Sequence, residues 1–311
     1  MTLGVLPSRR DVEEARARVG SAVRRTPVLE VEGAELGAAG RVVLKLELLQ
    51  HAGSFKARGA MNNVLSLPAG AGGVAAASGG NHGVAVAWAA ASAGLVADVF
   101  APASATPAKL HRIEEYGARL HPVDGDVGAA LDACREFSAR EGMPVVHPYD
   151  TFATVSGAGT LGLELAEQVP DADRVVIACG GGGLYAGVAT ALDGVVPVQP
   201  VEPELCPHLH HALAAGAPVA EPSSGVAADA LGPPRIGEHA FAIASARGAT
   251  VPLVSEDAIV AARSWLWQKV RVLAEPAASV PLAAVMSGLV PVSDGETVVL
   301  VVSGGNNATL P

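Results

Sequence analysis

The chain carries only four lysines, Lys45, Lys56, Lys109 and Lys269, so few primary amines compete for any chemistry that needs one. Lys56 stands apart because it follows Gly53-Ser54-Phe55 where a helical pattern begins, in an otherwise apolar stretch. A lysine held in a site of low polarity near a helix N-terminus has its charged form disfavoured by desolvation and by the helix dipole. The neutral amine can then attack a carbonyl and form a Schiff base. The plainer alternative is a surface lysine in a first helical turn. Three small-residue turns offer a second kind of chemistry: Ser78-Gly79-Gly80-Asn81-His82-Gly83, Cys179-Gly180-Gly181-Gly182-Gly183-Leu184 and Ser303-Gly304-Gly305-Asn306-Asn307. Each follows an apolar run and is expected to join a strand to a helix, where free backbone N–H groups favour an anion. Tight packing explains a single such turn. Four adjacent glycines cost too much ordering entropy for that alone, so Gly180, Gly181, Gly182 and Gly183 read as a phosphate cup.

The same loop has a rival reading. Gly181-x-Gly183-x-x-Ala186 matches a dinucleotide fingerprint, and Glu202 stands where a ribose-binding acid would sit. A nicotinamide enzyme is the alternative this implies, but it leaves Lys56 and the other two turns without a role. A Schiff-base lysine, a phosphate cup and polar turn residues together are the parts that a pyridoxal phosphate site requires.

The elements that must position these residues alternate between strand and helix. Strands are expected at 41–47, 73–78, 96–100, 119–123, 143–147, 174–178, 198–201 and 297–303, and helices at 55–65, 155–167, 184–192 and 255–273. Ser8 and Asp11 mark one helix start, and Thr106-Pro107 marks another that Gly117 closes. The segment 202–248, rich in Pro, Gly and His, shows no clear pattern. Two α/β units with a cleft between them, ligands lying beyond the strand ends, is the expected architecture.

The run Lys45-Leu-Glu-Leu-Leu-Gln50-His-Ala-Gly53-Ser54-Phe55-Lys56-Ala-Arg58-Gly59-Ala60 resembles the lysine signature of the serine/threonine dehydratases and serine racemases. These are pyridoxal-phosphate enzymes of the tryptophan synthase β fold type. Gly80-Asn81-His82, the tetraglycine loop and Ser303-Gly304-Gly305-Asn306 match the same family in the same order, so the resemblance spans residues 45–307. It implies two open parallel-sheet α/β domains with the cofactor in the cleft between them: a large one of residues 1–67 and 148–311, and a small one, 68–147, inserted in it. It also implies roles. Lys56 carries the cofactor and takes the α-proton, Phe55 packs near the ring, and Asn81 bonds the phenolic oxygen. Gly180, Gly181, Gly182, Gly183 and Leu184 hold the phosphate, and Ser303 faces the pyridine nitrogen. Ser78, Gly79, Gly80, Asn81 and His82 hold the substrate carboxylate. The implied reaction is β-elimination from a small hydroxy amino acid such as L-threonine or L-serine, giving a 2-oxo acid and ammonia.

One position separates the family's activities: racemases carry serine just before Gly-Asn-His, and dehydratases usually alanine. Here it is Gly79, with no proton to give, so elimination with little racemisation is expected; a racemase and a non-catalytic cofactor-binding protein are the alternatives. Ala52 stands where the family usually has threonine. Some members bind a divalent cation through a glutamate and an acidic residue six positions on; Glu202 fills the first place, but His208 occupies the second. His208 and His211, one helical turn apart, would need a third ligand to hold a metal. Glu275-Pro276 resembles a segment near the cofactor, with a salt-bridged structural glutamate as the alternative.

Composition limits the rest. Half of the 311 residues are hydrophobic and 17% are charged, enough for a large core. A formal net charge of −10 lacks the basic excess of a nucleic-acid footprint. Cys134, Cys179 and Cys206 form neither a disulfide framework nor a zinc pair. The first residues lack the apolar core of a secretory signal, and the apolar stretch 84–97 falls short of the ~18 residues a membrane span requires. A cytoplasmic enzyme is expected, a homodimer as is common in the family. The chain ends soon after Asn306, so no regulatory domain and no feedback by isoleucine are expected.

Overall fold

The computed structural model describes residues 5–103, 105, 107–306 and 310. Helix α1 (Arg9–Val19) starts at a capping box in which Ser8 and Asp11 accept from each other's backbone N–H groups. Strands β1 (Val28–Val31) and β2 (Arg41–Leu46) pair, and two single 3₁₀ turns lead to helix α2 (Lys56–Leu65). Next come β3 (Gly73–Ala77), α3 (Asn81–Ser92), β4 (Val96–Pro102), α4 (Pro107–Glu115), β5 (Arg119–Val123) and α5 (Val127–Glu141). The chain continues through α6 (Phe152–Gln168), β6 (Arg174–Ala178), α7 (Gly183–Ala191), β7 (Val198–Pro203), α8 (His208–Ala215), α9 (Ala228–Leu231) and α10 (Glu238–Ala246). It closes with β8 (Leu253–Val254), α11 (Glu256–Val270), α12 (Pro276–Met286) and β9 (Thr297–Val302).

Strands β3, β4 and β5 form one parallel sheet. The other strands form a second, in the order β1-β2-β9-β6-β7-β8, parallel except for β1 at its edge. The central strands of the larger sheet are apolar on both faces. Val298, Leu300 and Val302 join one core cluster with α11 and α12, whereas Val299 and Val301 join another with α6 and α7. A period of two buried on both sides is what a parallel sheet covered by helices requires. One exception is Lys45 on β2, fully buried opposite Val301. Its Nζ donates to Thr26 O (2.8 Å), Glu164 Oε2 (2.8 Å) and Gln168 Oε1 (2.7 Å). Beside it, Arg58 grips Glu47 through both Nε and Nη2 at 2.8 Å and reaches Glu164 Oε1 at 2.7 Å. Two cations and two carboxylates thus balance inside the protein and tie β2, α2 and α6 together.

The structure corrects the reading from sequence at several points. Residues 143–147 are not a full strand: only Val145 bridges to Ala75, because Pro144 has no N–H to give and the chain turns away at Pro148. Among the described residues no helix follows the third glycine turn; Gly304 bridges to Ser54. Helix α6 begins earlier than expected, at a Thr151 cap. Helix α11 stops at Val270, where Arg271 adopts a left-handed φ of +57°. The unpatterned stretch 202–248 holds three short helices, and β1, β8, α5 and α12 had no counterpart in the sequence reading. Thr106 and Asn307 lie outside the described residues.

Candidate active site

A cavity of about 390 Å³ lies beyond the C-terminal ends of β3, β6 and β9, where the two sheets face each other. Open α/β sheets bind ligands at such strand ends. The turns after these strands, Ser78 to His82, the tetraglycine loop and Ser303, all line it, together with Phe55 and Lys56.

Lys56 is the first residue of α2. The loop before it is fastened to the turn after β9: Phe55 N–H donates to Ser303 O (3.0 Å) and Gly305 N–H to Gly53 O (3.0 Å). Ala52 and Gly53 both take positive φ, +58° and +71°, to make this reversal. Any side chain at Gly53 would collide with Asn306. The Lys56 Nζ donates to Pro148 O at 2.6 Å and sits 5.0 Å from the centre of the Phe55 ring. Burial lowers its pKa to about 8, against the opposing pull of the Glu275 carboxylate. The amine is therefore easily made neutral, as a nucleophile and proton acceptor must be.

Across the cavity, β6 runs into the tetraglycine loop. Its glycines are demanded by packing: a Cβ on Gly181 would enter the Tyr149 ring, and one on Gly183 would meet Tyr149 O at 2.6 Å. A Cβ on Gly180 would meet Leu231 Cα at 2.8 Å, and Gly182 caps α7 with a φ of +82°. So the packing and phosphate readings of this loop are compatible. Among the described residues, no acceptor meets the N–H groups of Gly180, Gly181, Gly182, Gly183 or Leu184. Five unsatisfied donors lining a cavity at the start of α7 fit a phosphate. The donor set thus suits pyridoxal phosphate, with Lys56 for its aldehyde and the loop for its phosphate.

The turn after β3 supplies the third wall. Ser78 Oγ accepts from Gly80 N–H (3.1 Å), and α3 starts at Asn81. The space a side chain at Gly79 would take is filled, Ala105 Cβ lying 2.8 Å from the position of a Cβ. The buried His82 ring bonds Val146 O through Nε2 at 2.8 Å. Burial and the nearby Lys56 hold its pKa near 3, so the ring is neutral and its Nε2 is spent on the backbone. Asn81 Nδ2 donates to Glu275 Oε1 and Oε2 (2.9 and 3.1 Å), and its Oδ1 accepts from Asn306 Nδ2 (2.8 Å). Glu275 is thus held by an amide rather than a cation, and burial raises its pKa. From α4, Lys109 reaches Asp229 of α9 at the cavity's lining and Arg112 reaches Asn306 Oδ1, so two contacts join α4 to the elements of the larger sheet.

Glu202 lies elsewhere. Both of its oxygens accept backbone N–H groups at the start of α8, from Leu209 (2.7 Å) and His210 (2.9 Å). Burial pushes it up to about 8, and it is not among the residues that line the cavity. His208 Nε2 meets Ser223 Oγ, and among the described residues no three His, Cys, Asp or Glu side chains gather as metal ligands. Pro148, Tyr149, Lys109, Arg112 and Asp229 were not singled out from sequence. A tyrosine after His147-Pro148, in a chain with three tyrosines, was the one available signal for the loop's packing partner.

The comparisons agree with this geometry. A family model described as pyridoxal-phosphate dependent enzyme matches residues 19–304. The chain is 36% identical to a phenylserine dehydratase of Ralstonia pickettii, over 97% of this chain and 94% of that protein. The T.th. threonine deaminase superposes with a TM-score of 0.90 at 34% identity, covering 98% of this chain and all of that one. Maize serine racemase superposes with a TM-score of 0.91 at 30% identity, covering 97% and 94%. A buried lysine, an unsatisfied glycine cup and a family match over most of the length lead to one conclusion: the chain belongs to the family of pyridoxal-phosphate-dependent enzymes.

Proposed function

We propose that this protein is a lyase that eliminates water from a small β-hydroxy amino acid, such as L-threonine or L-serine, and releases a 2-oxo acid and ammonia. The observation that carries this reading is the convergence of the buried Lys56 amine and the unbonded N–H groups of the tetraglycine loop on one cavity. Bound pyridoxal phosphate supplies the electron sink for the pair left when the Cα–H bond breaks. Phe55, Ser303 and Asn81 line the cavity, where the first two would flank the cofactor and the Asn81 amide would serve its phenolic oxygen. In the turn from Ser78 to His82, at the start of α3, the N–H groups of Gly79, Asn81 and His82 are the ones not spent among the described residues, and they hold the substrate carboxylate. Lys56, once free, takes the α-proton at Nζ. Water is restricted by apolar lining such as Leu184 and Leu231.

Gly79 favours elimination over racemisation, having no side chain to deliver a proton to the opposite face and a neighbour in the space one would need. Two domains, residues 1–67 with 148–311 and the inserted 68–147, enclose the site, and the protein works as a cytoplasmic homodimer. The test is an assay of cofactor-loaded protein against threonine, serine and phenylserine, reading 2-oxo acid, ammonia and chirality. Ammonia with stoichiometric 2-oxo acid is expected. Net conversion of L-serine to D-serine without ammonia would show a racemase instead.

A further inference from the structure

We infer that Arg112 and Asn306 are positioning residues, which fix the way round that the Asn81 amide presents itself to the cofactor. The inference rests on the reading that the cavity holds pyridoxal phosphate. An asparagine amide fits its site equally well with oxygen and nitrogen exchanged, so hydrogen-bond polarity alone selects the orientation. Arginine can only donate, at any pH of interest, so Arg112 takes Asn306 by its Oδ1. That leaves Asn306 Nδ2 to donate, and its two partners are Ala52 O and Asn81 Oδ1, each at 2.8 Å. Asn81, its oxygen so occupied, must turn Nδ2 the other way, where it meets Glu275 and lines the cavity.

The donor-only Arg112 thus acts together with two acceptors, Ala52 O on Asn306 and the Glu275 carboxylate on Asn81, and completes from α4 the polarity that makes Asn81 a donor toward the cavity. Were Asn81 reversed, it would offer a carbonyl to the Glu275 carboxylate and to the electron-rich phenolic oxygen. Arg112 sits on the helix packed against the smaller sheet, and Asn306 follows β9 of the larger, so the orientation depends on both layers being in place.

The test compares Arg112→Met, Arg112→Lys and Asn306→Asp in the full chain. It reads the visible absorption band of the cofactor-loaded protein, the dissociation constant for pyridoxal phosphate, and kcat and KM. Arg112→Met and Asn306→Asp are expected to shift the band, weaken cofactor binding about 3- to 10-fold, the scale of one lost hydrogen bond, and lower kcat more than they raise KM. Arg112→Lys keeps a donor-only group and is expected to recover most of each loss. The inference is overturned if Arg112→Met and Asn306→Asp match the parent in band and cofactor affinity, or if Arg112→Lys is as impaired as Arg112→Met. A parent that binds the cofactor but releases ammonia from no amino acid would refute the lyase reading alone, the spectral comparison still deciding the roles of Arg112 and Asn306. A parent that takes up no cofactor refutes both.

Discussion

An ordinary lysine at pH 8 is neutral in well under about 1% of molecules, because its pKa lies near 10.4. Burial against Phe55 and Pro148 O brings Lys56 to about 8, so roughly half of it is free amine at that pH. Only the neutral form attacks an aldehyde, so the rate at which cofactor-free protein takes up pyridoxal phosphate is expected to rise with pH and level off above about 8. Stopped-flow absorbance checks this; a rate still climbing at pH 10 would mean that the amine is not depressed. The lysine and the glycines were legible in the sequence because their chemistry is local: Lys56 and its Gly-Ser-Phe approach are consecutive, and four glycines in a row are costly without a use. Pro148 and Arg112 were not, because each acts across a long stretch of chain and has no neighbour that marks it; Asn306 was marked by its turn, but its partners were not. Glu202 supported the rival reading for a related reason. Its place after a strand fits a ribose ligand, and only the fold shows its oxygens spent on the start of α8.

At the scale of elements, α2 is held by charge as much as by packing. Arg58, two residues beyond Lys56, has no exposed surface and pairs with Glu47 and Glu164, which also meets Lys45. Removing one member strands its partners without solvent, so Arg58→Met is expected to cost about 3–5 kcal/mol in urea unfolding of the cofactor-free protein. A loss below about 1 kcal/mol would mean that water reaches the cluster. Strand 174–178 was legible to the residue because a short apolar run with clear breakers leaves little choice. The segment 143–147 failed because Pro144 within it removes a ladder donor and the chain turns away at Pro148 just beyond it, which composition alone does not weigh. The stretch 202–248 resisted because its helices are short and are stopped by Gly216, Gly232 and Arg247 rather than sustained by an apolar period.

Across the whole molecule, the functional arrangement comes from strand ends. Three turns distant in sequence follow β3, β6 and β9, and the topology brings all three to one cavity. That convergence was anticipated from the alternation of strands and helices, whereas the contacts joining α4 to the elements of the larger sheet, Lys109 with Asp229 and Arg112 with Asn306, depend on how the sheets face each other and left no trace in local sequence. The central claim is a covalent one, and four lysines make it sharply testable. Cofactor-saturated protein is reduced with borohydride, digested and mapped by mass spectrometry. A single phosphopyridoxyl group on Lys56 is the expected result; a label on Lys45, Lys109 or Lys269 in its place, or on none of the four, would contradict it.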